Sequence, residues 1–106
     1  MPNYLIDFAK MKWENFAPGV RQKIRQLGNL RLRLVEFSEE FNEIDWCRKG
    51  HIGYLIEGKL AIDFDGKISR FKAGDGIYIP GGESSRHKAK IGKGEKALLV
   101  FVEKAQ

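Results

Sequence analysis

The sequence predicts an all-β protein, a sandwich or barrel of short antiparallel strands. Most of its 12 glycines fall where short apolar runs end, which is turn punctuation between strands. Several of those runs alternate apolar and polar residues with the period of two expected of a strand with one wet face. They recur at the roughly 8–12-residue spacing of packed antiparallel strands.

Residues 1–28 are the least regular. Residues 11–16 read as a helical turn, which Ala17-Pro18-Gly19 would end. Residues 20–26 form a strand leading into the turn Leu27-Gly28-Asn29. In the next run Leu30, Leu32 and Leu34 face one way and Arg31 and Arg33 the other, so the leucines mark the expected core face. Leu60, Ile62 and Phe64 alternate with Ala61, Asp63 and Asp65. Asp65-Gly66 is then a two-residue hairpin turn into residues 67–72, because both residues tolerate positive φ. Gly76-Ile-Tyr-Ile-Pro80 is a short strand closed by proline, and residues 97–102 are apolar on both faces, as suits a central strand.

The 106 residues suffice for one domain with one core. A composition of 42% hydrophobic and 31% charged residues is that of an ordinary globular protein. No apolar run approaches the roughly 20 residues that span a bilayer, and Met1-Pro-Asn-Tyr-Leu-Ile-Asp-Phe lacks the basic and apolar regions of a signal peptide. One cysteine cannot form an internal disulfide, which fits a reducing, cytoplasmic location. The net charge of +5 raises the question of nucleic acid, but the charge is spread. Residues 1–50 carry 9 Lys/Arg against 7 Asp/Glu and residues 51–106 carry 10 against 7. No helix-turn-helix or RNA-recognition signature is present, so neither nucleic acid nor a membrane is the expected partner.

The chemistry concentrates in two segments. Cys47-Arg-Lys-Gly-His51-Ile-Gly-Tyr-Leu-Ile-Glu57-Gly58 and Gly74-Asp-Gly-Ile-Tyr-Ile-Pro80-Gly-Gly, with His87 just after, hold the only cysteine and both histidines. As a strand, the first places His51, Gly53, Leu55 and Glu57 on one face and Ile52, Tyr54 and Ile56 on the other. Asp45 and Cys47 share a face just upstream, as do Ser85 and His87 in the second segment. Imidazole, thiolate and carboxylate on adjacent strands are the ingredients of a site for a divalent first-row metal: zinc, iron, nickel or manganese.

Together the two segments resemble the two motifs of the cupin family over roughly residues 17–103. The first motif is Gly, five residues, His-x-His, three or four residues, Glu, six residues, Gly. Counting back from Gly58, His51 stands at the glutamate position, and Asp45 and Cys47 stand where the histidine pair would be. The second motif is Gly, five residues, Pro-x-Gly, two residues, His, three residues, Asn. Gly74 or Asp75 opens it here, Pro80-Gly81-Gly82 matches Pro-x-Gly, and Ser85 sits at the histidine position with His87 two residues on. The resemblance implies a cupin-type jelly-roll barrel of about eight to ten strands, with a short irregular or helical arm at 1–16 and the barrel at 17–106. It implies metal ligands among Cys47, His51, His87 and Asp45, with either Ser85 or His87 turned inward, and a small polar molecule as substrate or ligand. It also implies a homodimer, onto which the apolar arm (Tyr4, Leu5, Ile6, Phe8) could cross.

Tyr54, Tyr78, Ser85 and Glu57 are candidates for the pocket wall, although a strand tyrosine more often packs and Glu57 precedes a turn glycine. Trp13 and Trp46 are expected as packing anchors. A non-catalytic binding or sensor barrel without metal is the alternative function, and a reactive Cys47 thiolate a third, flanked as it is by Arg48 and Lys49.

Overall fold

Eight strands account for nearly all the regular structure of the computed structural model, which describes residues 4–105. They are β1 (Glu14–Ala17), β2 (Val20–Leu27), β3 (Leu30–Ser38), β4 (His51–Phe64), β5 (Lys67–Lys72), β6 (Gly76–Ile79), β7 (Lys88–Lys90) and β8 (Lys96–Lys104). Every ladder is antiparallel and the order is β1-β2-β3-β8-β4-β5, with β6 and β7 also on β4. The protein is thus all-β, its sheet curled into a jelly-roll barrel.

The hairpins form where the turn residues require them. Asp65 and Gly66 have φ of 55° and 97°, the pair of positive values that a type I′ turn needs, and the Asp63 carboxylate accepts from the Gly66 N–H at 2.7 Å. Gly28 (φ 64°) joins β2 to β3, and β8 runs centrally between β3 and β4.

β4 is one strand serving two sheets. Residues 52–58 pair with β8, whereas residues 59–64 pair with β5. Between them the register slips: Leu55 faces Leu99 but Glu57 faces Leu98, so Ile56 is an extra, bulged residue. The bulge inverts the parity of the strand. Leu55 is buried before it, and Leu60 and Ile62 after it. Gly58 (φ 86°) makes the corner, where a Cβ would collide with the Lys96 carbonyl oxygen. The interior packs around Val35, Leu55 and Leu99, with Phe37, Leu60 and Phe101 beside them.

Two expectations from sequence do not hold. Residues 11–16 are not a helical turn: a single 3-10 turn lies earlier, at Phe8–Lys10, and β1 begins at Glu14, so that strand straddles the expected boundary at 16/17. The pairing of Glu14 and Asn15 with Gln22 and Arg21 decides this, since ladder bonds outweigh weak local preference. The core face of β3 is the opposite one. Val35 and Phe37 are buried and share parity with Arg31 and Arg33, which turn inward, while Leu30 is 45% exposed. Arg31 lies across from Glu103 on β8, so the interior supplies the partner that a buried guanidinium needs.

The arm packs over β2. Lys23 donates to the Phe8 carbonyl oxygen at 2.7 Å, and Trp13 lies beneath the cations of Arg21 and Lys23. Trp46 similarly sits against Arg86 and Lys88 and is half-buried.

Candidate metal centre

Backbone pairing assembles the site. Cys47 and His87 face each other across an isolated antiparallel bridge, with Cys47 N–H to His87 O at 2.8 Å and His87 N–H to Cys47 O at 2.9 Å. His51 begins β4 opposite Ile79. Gly53, two residues on and on the same face, makes room for the Phe101 ring, which a Cβ would strike. That ring lies 5.1 Å from the His51 ring, and the two imidazoles are 5.3 Å apart, edge to face. One ligand atom from each of Cys47, His51 and His87 lies within 4.8 Å of the others.

Each histidine is held by its other nitrogen. His51 Nδ1 is 2.6 Å from Glu103 Oε2, and its Nε2 is 3.7 Å from Cys47 Sγ. His87 Nδ1 is 3.0 Å from the Ser85 carbonyl oxygen. A histidine whose Nδ1–H is tied to a carboxylate or carbonyl presents the Nε2 lone pair, the second shell typical of bound imidazoles. Zinc bonds of about 2.3 Å to sulfur and about 2.0–2.1 Å to nitrogen put tetrahedral donors about 3.6 Å apart. The Cys47–His51 separation of 3.7 Å is close to that and all three donor atoms lie within 4.8 Å, so the donor types suit a divalent first-row ion and the cluster is compact enough to close on one.

Glu103 is the hub of this second shell. Its side chain is 4% exposed and takes Arg31 at 2.9 Å, Arg33 at 2.9 Å and His51 at 2.6 Å. Burial opposes its charge, yet His51 and Arg33 hold it well below the usual carboxylate range. Burial likewise opposes the Cys47 thiolate, but hydrogen bonds from His51 and His87 bring the thiol down to about 5. Against its own burial, His51 is pushed up to about 9 by Cys47 and Glu103. His87 is raised, again against burial, by Cys47 and the Ser85 carbonyl. Glu43 is raised, chiefly by burial, and its Oε1 accepts from the Ala89 N–H at 2.8 Å.

The cluster opens on a cavity of 270 Å³. Phe37, Phe41, Leu60 and Phe101 supply its apolar wall, and Arg31, Arg33, Glu43, Lys49 and Glu103 its charged one. Of the residues singled out from sequence, Cys47, His51 and His87 come together here. Asp45 does not: it is exposed and lies outside the cluster, while Glu43, two residues earlier, lines the cavity. Between Ser85 and His87 it is His87 that is buried, and Ser85 contributes its carbonyl. Tyr54 and Tyr78 are on the outer face, 49% and 74% exposed, and Glu57 is exposed beside the bulge. Sequence reasoning missed Glu103, Arg31, Arg33 and Glu43. Period-two counting back from Glu103 through Phe101, Leu99 and Ala97 places it on the buried face of β8, so the signal was present.

Neither a protein-family model nor a curated protein matches the sequence. Solved structures do match. The polyketide cyclase RemF from Streptomyces resistomycificus is 19% identical with a TM-score of 0.82, covering 99% of this chain and 81% of that one. KdgF from Halomonas sp. is 18% identical with a TM-score of 0.76 over 100% of this chain and 96% of that one. An RmlC-like cupin from Shewanella frigidimarina is 15% identical with a TM-score of 0.71, covering 99% and 93%. At these identities the likeness establishes the fold. The continuous antiparallel ladders, the bulged corner strand and these neighbours make the chain a small domain of the cupin fold.

Proposed function

We propose that this barrel is a metal-centred site for a small molecule, with Cys47, His51 and His87 as ligands to a divalent first-row ion such as zinc, iron, nickel or manganese. The observation that carries the reading is the convergence of three donor atoms within 4.8 Å, with both histidines fixed from behind by Glu103 and Ser85. A bound ion would polarise a ligand oxygen or activate water. Three protein ligands leave coordination positions free, the arrangement of reactive rather than structural zinc sites. The residues do the rest: Glu103 orients His51, the Cys47 N–H and C=O lock Cys47 to His87, and the phenylalanines exclude water. Whether the bound molecule is converted or only held is a property of the cavity's occupant, since the fold serves both.

The test is metal content by mass spectrometry on untagged protein, wild type and His51→Ala. Near-stoichiometric metal in the wild type, lost in the variant, is the expected result. A wild type that no first-row ion can fill would end this reading. It would favour the second one, a non-catalytic small-ligand-binding or sensor barrel without metal, for which the observation is the cavity walled by Phe37, Phe41, Leu60 and Phe101.

Pairing of two chains belongs to the same proposal. Its support is the outer face of the sheet, where Leu32, Val102, Ile52 and Tyr78 line up across β3, β8, β4 and β6. Leu34, Val100 and Tyr54 form a second row beside them. Contiguous apolar surface of this kind marks an interaction face. Among the described residues no helix is long and apolar enough to cross a membrane.

A further inference from the structure

The charges around the cavity do not balance. Arg31, Arg33 and Lys49 line it, against the carboxyl groups of Glu43 and Glu103. Arg31 and Arg33 are largely withdrawn from water, with side chains 24% and 12% exposed, and they share the single carboxylate of Glu103. Arg33 directs a further N–H to the neutral Gln22 carbonyl oxygen at 3.3 Å, which adds no negative charge. Lys49 is exposed, and its side chain has no ion pair among the described residues. Apart from Cys47, His51 and His87, the lining therefore carries three cations against two carboxyl groups. Partly buried guanidinium groups in excess of their carboxylates favour an anion.

Position adds to charge. A second, outer cleft of 570 Å³ shares Arg31, Lys49, His51, Ile79 and Glu103 with the interior cavity. Arg31 and Lys49 thus stand where the cleft meets the cavity, and cations at a low-dielectric entrance concentrate anions there. Phe37, Phe41 and Phe101 line the interior cavity but not the outer cleft. The cavity volume of 270 Å³ is room for a small molecule.

We propose that the cavity takes a small organic carboxylate, its carboxylate on Arg31 and Lys49 and its apolar body against the phenylalanines. The inference rests on the reading of this cavity as a small-molecule site and names the ligand class. A guanidinium and an ammonium at one end select a carboxylate over its neutral isostere, because the amide brings no charge to Lys49, which has no ion pair among the described residues, or to Arg31, which shares Glu103 with Arg33.

The test is calorimetric titration of the full chain with benzoate, phenylacetate and isovalerate, each beside its primary amide. The protein is used both stripped by chelation and loaded with zinc. At least one acid is expected to bind tenfold or more tightly than its amide. Lys49→Met should cut that acid's affinity about tenfold and leave the amide's unchanged, whereas Lys59→Met, on the far half of β4, should change neither. If no acid outbinds its amide in either form, or if Lys49→Met leaves the preference intact, the proposal is overturned. The two readings separate cleanly. Zinc binding without an acid preference defeats only the carboxylate, and an acid preference in protein that takes no zinc defeats only the metal.

Discussion

Glu103 joins the chemistry of the site to its scaffold. One carboxylate meets two guanidinium groups and the imidazole of His51, all with side chains under a quarter exposed. Glu103→Gln would keep the shape but remove the charge from two buried arginines. Breaking such a buried network from one side costs about 3–5 kcal/mol, read as a lower midpoint in urea unfolding. It also loosens the proton on His51, which predicts a pH effect with a definite sign. His51 binds metal only when its Nε2 is deprotonated, and the metal-free imidazole is raised to about 9. Zinc affinity should therefore climb with pH, about tenfold per unit where one proton is displaced, and level off near 9 in the wild type. In Glu103→Gln the plateau should come at lower pH. Competition titrations against a chelator of known affinity across that range check both. An identical pH profile in the two proteins would show that Glu103 does not govern His51.

At the level of elements, β4 decides most. Its bulge at Ile56 and its corner at Gly58 let His51 and Leu60 both point inward although their positions differ in parity. Gly58→Ala would place a Cβ at φ 86° against the Lys96 carbonyl oxygen. Strain of that kind costs about 1–3 kcal/mol before the clash is counted, so the variant should unfold at clearly lower denaturant. Wild-type stability would mean that the corner can move. The same strand shows what local sequence reveals. The Asp65-Gly66 turn, the alternation at Leu60, Ile62 and Phe64, and the central place of residues 97–102 are all written in short-range pattern. The bulge is not, because an extra residue is specified by the neighbouring strand. Nor is the inward face of β3: its leucines outrank its arginines on hydrophobicity alone, and only Glu103, about 70 residues away, makes the arginines interior. That His51 and Cys47 would share a cluster was legible from their types and motif positions. Placing His87 rather than Ser85, and Glu43 rather than Asp45, on the cavity required knowing the course of the segments between β3 and β4 and between β6 and β7, where an isolated bridge joins Cys47 to His87.

For the molecule as a whole, the outer face of the sheet is the feature still unpartnered among the described residues. Ile52, Tyr54, Tyr78 and Val102 are 53%, 49%, 74% and 41% exposed. With their neighbours on β3 and β8 they form one contiguous apolar surface, the kind that a stable interface of roughly 800 Å² per partner covers. A two-fold pairing would bring these uncharged rows together despite the net charge of +5. Sedimentation should give a dimer at micromolar concentration, and Tyr54→Lys should give a folded monomer with its metal content unchanged. A wild-type monomer would leave this face for some other partner.

The bridge between Cys47 and His87 has a consequence beyond ligand geometry. These two residues enclose β4, β5 and β6 between them. An ion gripping both would act as a reversible cross-link, restraining the denatured chain much as a disulfide does. For a loop of about 40 residues, that restraint is worth about 4 kcal/mol in a chain-entropy account. A chain with only one cysteine could in this way gain the topological security of a disulfide without an oxidising environment, and surrender it whenever the ion is withdrawn.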